Sequence, residues 1–226
     1  MVPIPQYPLY SALMTLNGAT LVKYYLDEDK AWGVDVDHMQ SQIANAKELG
    51  VRLRAITVIN PGNPTGTIFR RVDIENIIKL AYEHRMVVLA DEVYQNNIYR
   101  DVPFVSFRKV LAEMGEPYSN NVELISMHST SKGLQGECGL RGGYMETHNL
   151  DGFIEEMLYK MKSIELCSNT VGQLATHVMV APPTAGVESA ECVAKYEEQK
   201  NAIFDGLSER AEILTDTFNG MENVSS

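Results

Sequence analysis

Arg54-Ala55-Ile56-Thr57-Val58-Ile59-Asn60-Pro61-Gly62-Asn63-Pro64-Thr65-Gly66 decides the fold. Its opening, Arg54 to Asn60, is a short apolar run rich in β-branched residues and reads as a buried strand. The turn residues from Pro61 to Gly66 then carry the chain out of the sheet. Val72 to Arg85 follows, setting Ile74, Ile77, Ile78, Ala81 and Tyr82 on one face at helical spacing. Met86 to Ala90 reads as a second buried strand, Glu123 to Met127 as a third and Gly142 to Glu146 as a fourth. A helix between two strands of one sheet is a crossover, and crossovers join parallel strands. The pattern predicts an α/β domain with a mostly parallel sheet flanked by helices.

Towards the end, Ala181-Pro182-Pro183-Thr184-Ala185-Gly186 breaks the pattern. Ser189 to Phe218 then reads as one long polar helix with Val193, Ile203, Leu207, Ile213 and Leu214 as its apolar positions. At the start, Met1-Val2-Pro3-Ile4-Pro5 has the look of a strand from within a domain. The expected organisation is a large domain over 1–188, incomplete at its N-terminal end, and a helix over 189–226 leading toward a further domain. Internal repeats, low-complexity tracts and Gly/Ser linkers are absent from the sequence.

The chain has 226 residues, 45% of them hydrophobic and 22% charged, which is ordinary for a globular protein with a sizeable core. A formal charge of -11 opposes binding to nucleic-acid phosphates, yet leaves room for a local positive pocket. Apolar runs such as Met86 to Ala90 are far shorter than the roughly 20 residues that span a bilayer, and no secretory signal opens the chain. Cys138, Cys167 and Cys192 have no paired spacing, so a reducing compartment is expected and no disulfide or metal framework. Cytosol and mitochondrial matrix both fit.

Polar residues gather where the inferred strands end, which is where open α/β sheets bind ligands. Asp91 and Glu92 follow the buried run Val87 to Ala90, so a carboxylate there calls for a cationic partner. After the third strand, His128-Ser129-Thr130-Ser131-Lys132-Gly133 sets hydroxyls before a lysine and a glycine after it, a pattern suited to phosphate oxygens. Arg141 stands in Gly139-Leu140-Arg141-Gly142-Gly143, whose glycines let a guanidinium approach an anion closely. For imine chemistry the lysine must be a neutral amine, and burial together with Arg141 is expected to depress its pKa.

In this order, Asn60 to Gly66, then Asp91-Glu92-Val93-Tyr94, then Ser129 to Lys132, then Gly139 to Gly143 resembles the signature of fold-type I, pyridoxal-phosphate-dependent aminotransferases. Pro5 to Ala12 and His128 to Tyr144 are similar to the alanine aminotransferase branch of that family. The resemblance covers nearly the whole chain and implies most of a large domain, with the small domain largely absent. It implies pyridoxal 5'-phosphate as cofactor, amino acid and 2-oxo acid substrates, and a homodimer. Lys132 would form the Schiff base and then shuttle the substrate's proton. Asp91 would pair with the pyridinium nitrogen, and Asn63 and Tyr94 would hydrogen-bond the ring's phenolic oxygen. Tyr7 would stack on the ring, and Ser129, Ser131 and Arg141 would bind the phosphate.

The same resemblance implies pieces these residues do not supply: a small-domain arginine for the substrate carboxylate, a phosphate loop upstream of Met1 and a tyrosine from the partner subunit. The chain by itself is therefore expected to transaminate poorly. Taken singly, Tyr7 is a packing tyrosine, Asn63 a turn former and Lys132 a solvated lysine; only their joint order raises the functional reading. His128 reads as a packing or hydrogen-bonding residue, and Cys138 as a small buried one. His38, His84, His148 and His177 form no ligand set. Two alternatives stay open: a lyase or synthase on the same fold, and a non-catalytic remnant acting through binding.

Overall fold

The computed structural model describes residues 1–224. Its strands are β1 (Val2–Ile4), β2 (Lys23–Asp27), β3 (Gly33–Val34), β4 (Ala55–Ile59), β5 (Val87–Asp91), β6 (Leu124–Ser129) and β7 (Gly143–His148). Its helices are α1 (Leu9–Leu16), α2 (Val36–Glu48), α3 (Arg71–His84), α4 (Phe107–Glu113), α5 (Tyr118–Asn121), α6 (Gly152–Ser163), α7 (Thr170–Val180) and α8 (Ala190–Asn219).

β4, β5 and β6 are parallel neighbours, with Ile56 opposite Val88 and Val88 opposite Leu124. The order in the four-stranded sheet is β4-β5-β6-β7. β7 pairs antiparallel to β6, because it returns directly from the loop after β6 without a crossover helix. The expected strands are all found, but β6 runs on through His128 and Ser129, which the sequence had placed beyond it. A second sheet, β1-β2-β3, adjoins the first: the Thr57 N–H donates to the Met1 carbonyl at 2.9 Å.

Strand alternation gives the main sheet two unlike faces. Ile56, Val58, Val88, Ala90 and Leu124 share one face and are buried against α3 and α4, whose Ile74, Ile77, Ile78, Phe107, Val110 and Leu111 complete the core. In α3, Leu80 is buried as well, while Tyr82 is exposed at the rim. The start of α3 is fixed by Asp73, whose carboxylate accepts from the Arg70 backbone N–H at 3.1 Å and from its guanidinium at 2.8 and 2.9 Å. On the opposite face Leu89, Ile125 and Met127 are only partly buried, and this is the face that carries Asp91 and Ser129.

α8 begins on Ser189, whose hydroxyl accepts from the Cys192 N–H. Of its five expected apolar positions, Val193 and Leu207 are partly covered, together with Tyr196, Phe204 and Ala211, whereas Ile203, Ile213 and Leu214 are exposed. A helix buries the stripe that its neighbours reach, and a 3.6-residue period does not say which of two stripes that is. Among the described residues no helix is long and apolar enough to cross a membrane.

Candidate active site

At the C-terminal ends of β4, β5 and β6 lies a cavity of about 500 Å³. Tyr7, Asn63, Asp91, Tyr94, Ser129, Ser131, Lys132 and Arg141 all line it, so the eight residues that the resemblance gives a role come to one place.

The backbone explains their convergence. Asn63 rides on the turn after β4, which is closed by Gly62 N–H to the Thr67 carbonyl at 2.8 Å and by Phe69 N–H to Asn60 Oδ1 at 2.9 Å. β5 ends in two successive carboxylates that alternation sends to opposite faces. Asp91 points to the cavity. Glu92 turns into the core side, 5% exposed, and accepts from the Phe107 N–H at 2.8 Å. Burial lifts the Glu92 carboxyl to about 7. After β6, Thr130 donates through both its N–H and its hydroxyl to the Gly142 carbonyl at 3.1 Å, tying the lysine turn to the arginine turn. The Ser131 N–H reaches Ser129 Oγ at 3.3 Å. Arg141 sits in the left-handed region at φ 55 and donates to the Cys138 carbonyl at 2.9 Å.

Gly142 has a packing role. A Cβ there would stand 2.4 Å from the Gly172 carbonyl and 2.6 Å from Thr176 Oγ1, so the residue lets α7 close onto the start of β7. Cys138 is exposed at the cavity wall, not buried, because the short turn it begins faces the opening. His128 is buried, as a packing residue should be, with its ring 6.0 Å from that of Tyr144.

Lys132 also differs from expectation. Its amine is held above the ordinary lysine value, first by the Tyr94 phenol, and lies 5.2 Å from the centroid of that ring. Arg141 is not among the groups that shift it, and both side chains are exposed to solvent. Asn63 Nδ2 donates to the same phenol oxygen at 3.4 Å. Asp91 moves the other way from a paired carboxylate: burial holds it above the usual range, despite the bonds it accepts.

One of those bonds comes from a residue the sequence reading missed. The Tyr10 hydroxyl donates to Asp91 Oδ2 at 2.5 Å, and burial together with that carboxylate pushes the phenol up. Tyr10 lies in the first turn of α1, three residues after Tyr7, and nothing in that local stretch points to Asp91.

A desolvated carboxylate, an aromatic face, an amine beside a phenol, and hydroxyls with a guanidinium form a donor and acceptor set for a flat, cationic, phosphorylated ring. The chain resembles known proteins accordingly. It is 47% identical to glutamate–glyoxylate aminotransferase 1 of Arabidopsis thaliana over 99% of this chain and 46% of that protein. It is 44% identical to alanine aminotransferase 1 of Homo sapiens over 100% of this chain and 45% of that protein. In structure it superposes on an alanine aminotransferase from Pyrococcus furiosus with a TM-score of 0.79 at 26% identity, covering 99% of this chain and 50% of that one. The chain thus spans a little under half the length of the curated relatives it matches. Its fold is the fold-type I arrangement of such neighbours, a mostly parallel sheet flanked by helices. The family model for class I and II aminotransferases matches residues 1–222, and the chain belongs to that family.

Proposed function

We propose that this protein is a pyridoxal-phosphate-dependent transaminase that moves the amino group of L-alanine to 2-oxoglutarate, giving pyruvate and L-glutamate. The observation that carries the reading is Asp91: a mostly desolvated carboxylate, oriented by Tyr10 and the Val93 N–H, faces the cavity, and its titratable neighbour His128 is itself held by burial below the ordinary imidazole value. A ring nitrogen that holds a proton would complete it. Pyridoxal phosphate, when bound, supplies an aldehyde that condenses with amines and a ring that accepts the electron pair released at the substrate's α-carbon.

The chain's residues then divide the work. Lys132 Nζ provides the anchoring amine and is the base placed to take the α-proton. Asp91 holds a proton on the ring nitrogen. Asn63 and Tyr94 donate to the phenolic oxygen, Tyr7 covers a ring face, and Ser129, Ser131 and Arg141 take the phosphate. In this reading residues 1–188 are the cofactor-binding part and the helix from 189 onward leads toward the substrate-closing part. The working form is a homodimer, and exposed Phe153, Ile154, Tyr159, Val171, Leu174 and Val178 on α6 and α7 offer it an apolar surface. Sedimentation that shows only monomer at micromolar concentration would remove that element.

Borohydride reduction in the presence of pyridoxal phosphate, followed by peptide mapping, tests the centre of the reading. A stable adduct on Lys132 is expected. Labelling spread evenly over the surface lysines, with no visible absorption band, would sink it and favour a non-catalytic binding role. The 47% identity to a glutamate–glyoxylate aminotransferase favours a second acceptor, glyoxylate. Turnover of paired amino donors and oxo acids separates the two, and a product other than an oxo acid would point to a lyase or synthase.

A further inference from the structure

The segment that carries Asp91 and Tyr94 carries a third side chain aimed at the lysine turn. Asn97 Oδ1 accepts from the Gly133 N–H at 2.8 Å, while its Nδ2 lies 3.5 Å from the Gly133 carbonyl. Asn97 thus addresses both polar groups of the residue that follows Lys132, its amide supplying the acceptor and the donor. Its Nδ2 also donates to the Tyr99 hydroxyl at 2.9 Å, and the Tyr99 ring packs 5.7 Å from that of Phe204 on α8.

This contact matters because it is the shorter of the two bonds on the peptide group that joins the reactive residue to Gly133. Gly133 sits in the left-handed region at φ 70, where the backbone direction changes sharply. The other bonds of the turn are Gly136 N–H to the Lys132 carbonyl at 3.3 Å, on the same peptide group, Glu137 N–H to the Thr130 carbonyl at 3.0 Å, and the bonds of Thr130 to Gly142 and of Ser131 to Ser129 that precede the lysine. The Lys132 side chain is exposed and flexible, so the direction of its Cα–Cβ bond decides where its amine can reach. The Lys132–Gly133 peptide group helps to set that direction, with Gly136 on its carbonyl and Asn97, by the shorter bond, on its N–H.

We propose that Asn97 is the positioning residue for Lys132, clamping the Gly133 backbone so that the lysine amine stays over the Tyr94 ring, with Tyr99, packed against Phe204 of α8, steadying the clamp. The proposal deepens the reading of Lys132 as the cofactor anchor and rests on it for its purpose, although the clamp itself can be tested without cofactor.

Competitive acetylation with acetic anhydride, read by peptide mapping, measures the reactivity of Lys132 against that of Lys160, an exposed lysine on α6. In Asn97→Ala the amine leaves the Tyr94 phenol, and the Lys132 to Lys160 ratio at fixed pH is expected to change by roughly fivefold or more, the scale of one lost hydrogen bond. Asn97→Asp keeps an acceptor for the Gly133 N–H and should retain most of the wild-type ratio. Tyr99→Phe should shift it partway. Asn149→Ala is the control: it removes bonds of 2.8 and 3.0 Å to the Ser119 and Val122 carbonyls, far in sequence from the lysine turn, and should lower the melting temperature without moving the ratio. An unchanged ratio in both Asn97→Ala and Tyr99→Phe overturns the proposal, whatever happens to the melting temperature. If Asn97→Ala fails to fold, Asn97→Asp and Tyr99→Phe still decide it. A ratio that shifts as expected in a protein that forms no selective pyridoxal phosphate adduct would keep the clamp and overturn the proposed function instead.

Discussion

The chain up to His148 and the chain from Gly152 onward are built from similar apolar residues but bury them very differently. In the first region Tyr24, Ile74, Ile77 and Phe107 are essentially inaccessible. In the second, α6 and α8 have no buried residue and α7 has only Gly172, while Ile164 is 80% exposed and Leu166 90%. Yet the second region's helices begin as clearly as any. Asp151, Asn169 and Ser189 each accept from a backbone N–H of the first turn, at 3.0, 3.1 and 3.2 Å. Local signals therefore specify where these helices start, and the apolar stripe they carry specifies that a cover is wanted, which is a separate instruction.

Truncation at matched chemistry is the strongest way to break this contrast. Phe107→Ala leaves a cavity among fully buried neighbours and should cost about 3–5 kcal/mol. Leu174→Ala, at a side chain 62% exposed, should cost about 0.5 kcal/mol or less. Urea unfolding midpoints of the two variants measure the difference directly. Comparable losses would mean that α7 is covered in solution.

What the sequence made legible follows the same division. The strands β4, β5 and β6 and the cavity at their ends could be read because each motif directly follows a strand, so order along the chain becomes proximity in space. Contacts between distant segments could not. Tyr10 reaches Asp91 across 81 positions, and no local pattern announces a bond of that span. Glycines at 142 and 172 look like permissive turn residues until α7 and β7 are seen touching through them. The apolar positions of α8 divide for the same reason into covered Val193 and Leu207 and exposed Ile203, Ile213 and Leu214, since what separates them is what lies beside them.

Buried polar side chains lie in the first region: Thr57, Asn60, Asp73, Glu92, Ser126, His128 and Thr130. Its stability should accordingly depend on pH. Glu92 titrates near 7 in the folded chain against 4.5 for an ordinary glutamate, so the folded state keeps a proton that the unfolded state has already lost. The stability this provides is complete below about pH 4.5 and is lost as pH rises toward 7, up to about 3 kcal/mol in all. Asp91 is shifted in the same direction and adds to the slope. Glu92→Gln keeps an acceptor for the Phe107 N–H and should flatten the dependence. The variant should match wild type near pH 5 and exceed it by about 2 kcal/mol at pH 8. Parallel slopes for the two proteins would show that Glu92 is not the group responsible.

At the joint between the regions, Gly142→Ala sets a methyl against backbone that has nowhere to go. Either β7 or α7 must move, at about 1–3 kcal/mol. Because Thr130 hangs on the Gly142 carbonyl, the shift should also be felt at the lysine turn. Loss of stability with unaltered adduct formation at Lys132 would show that the two turns are less tightly joined than their bonds suggest.

The smallest effect belongs to the outer surface of α6. Lys160 and Glu156 form a pair of 2.7 Å one helical turn apart, with both side chains about 60% exposed. Water screens such a pair and both side chains give up freedom to make it, so Lys160→Ala should cost under about 0.5 kcal/mol, and less at high salt. Unfolding at two ionic strengths measures this. A loss above about 1 kcal/mol, insensitive to salt, would place the pair out of water. The exposed apolar residues of α6 would then have found their cover in another subunit, and the contrast between the two regions would hold for the single chain but not for the assembled protein.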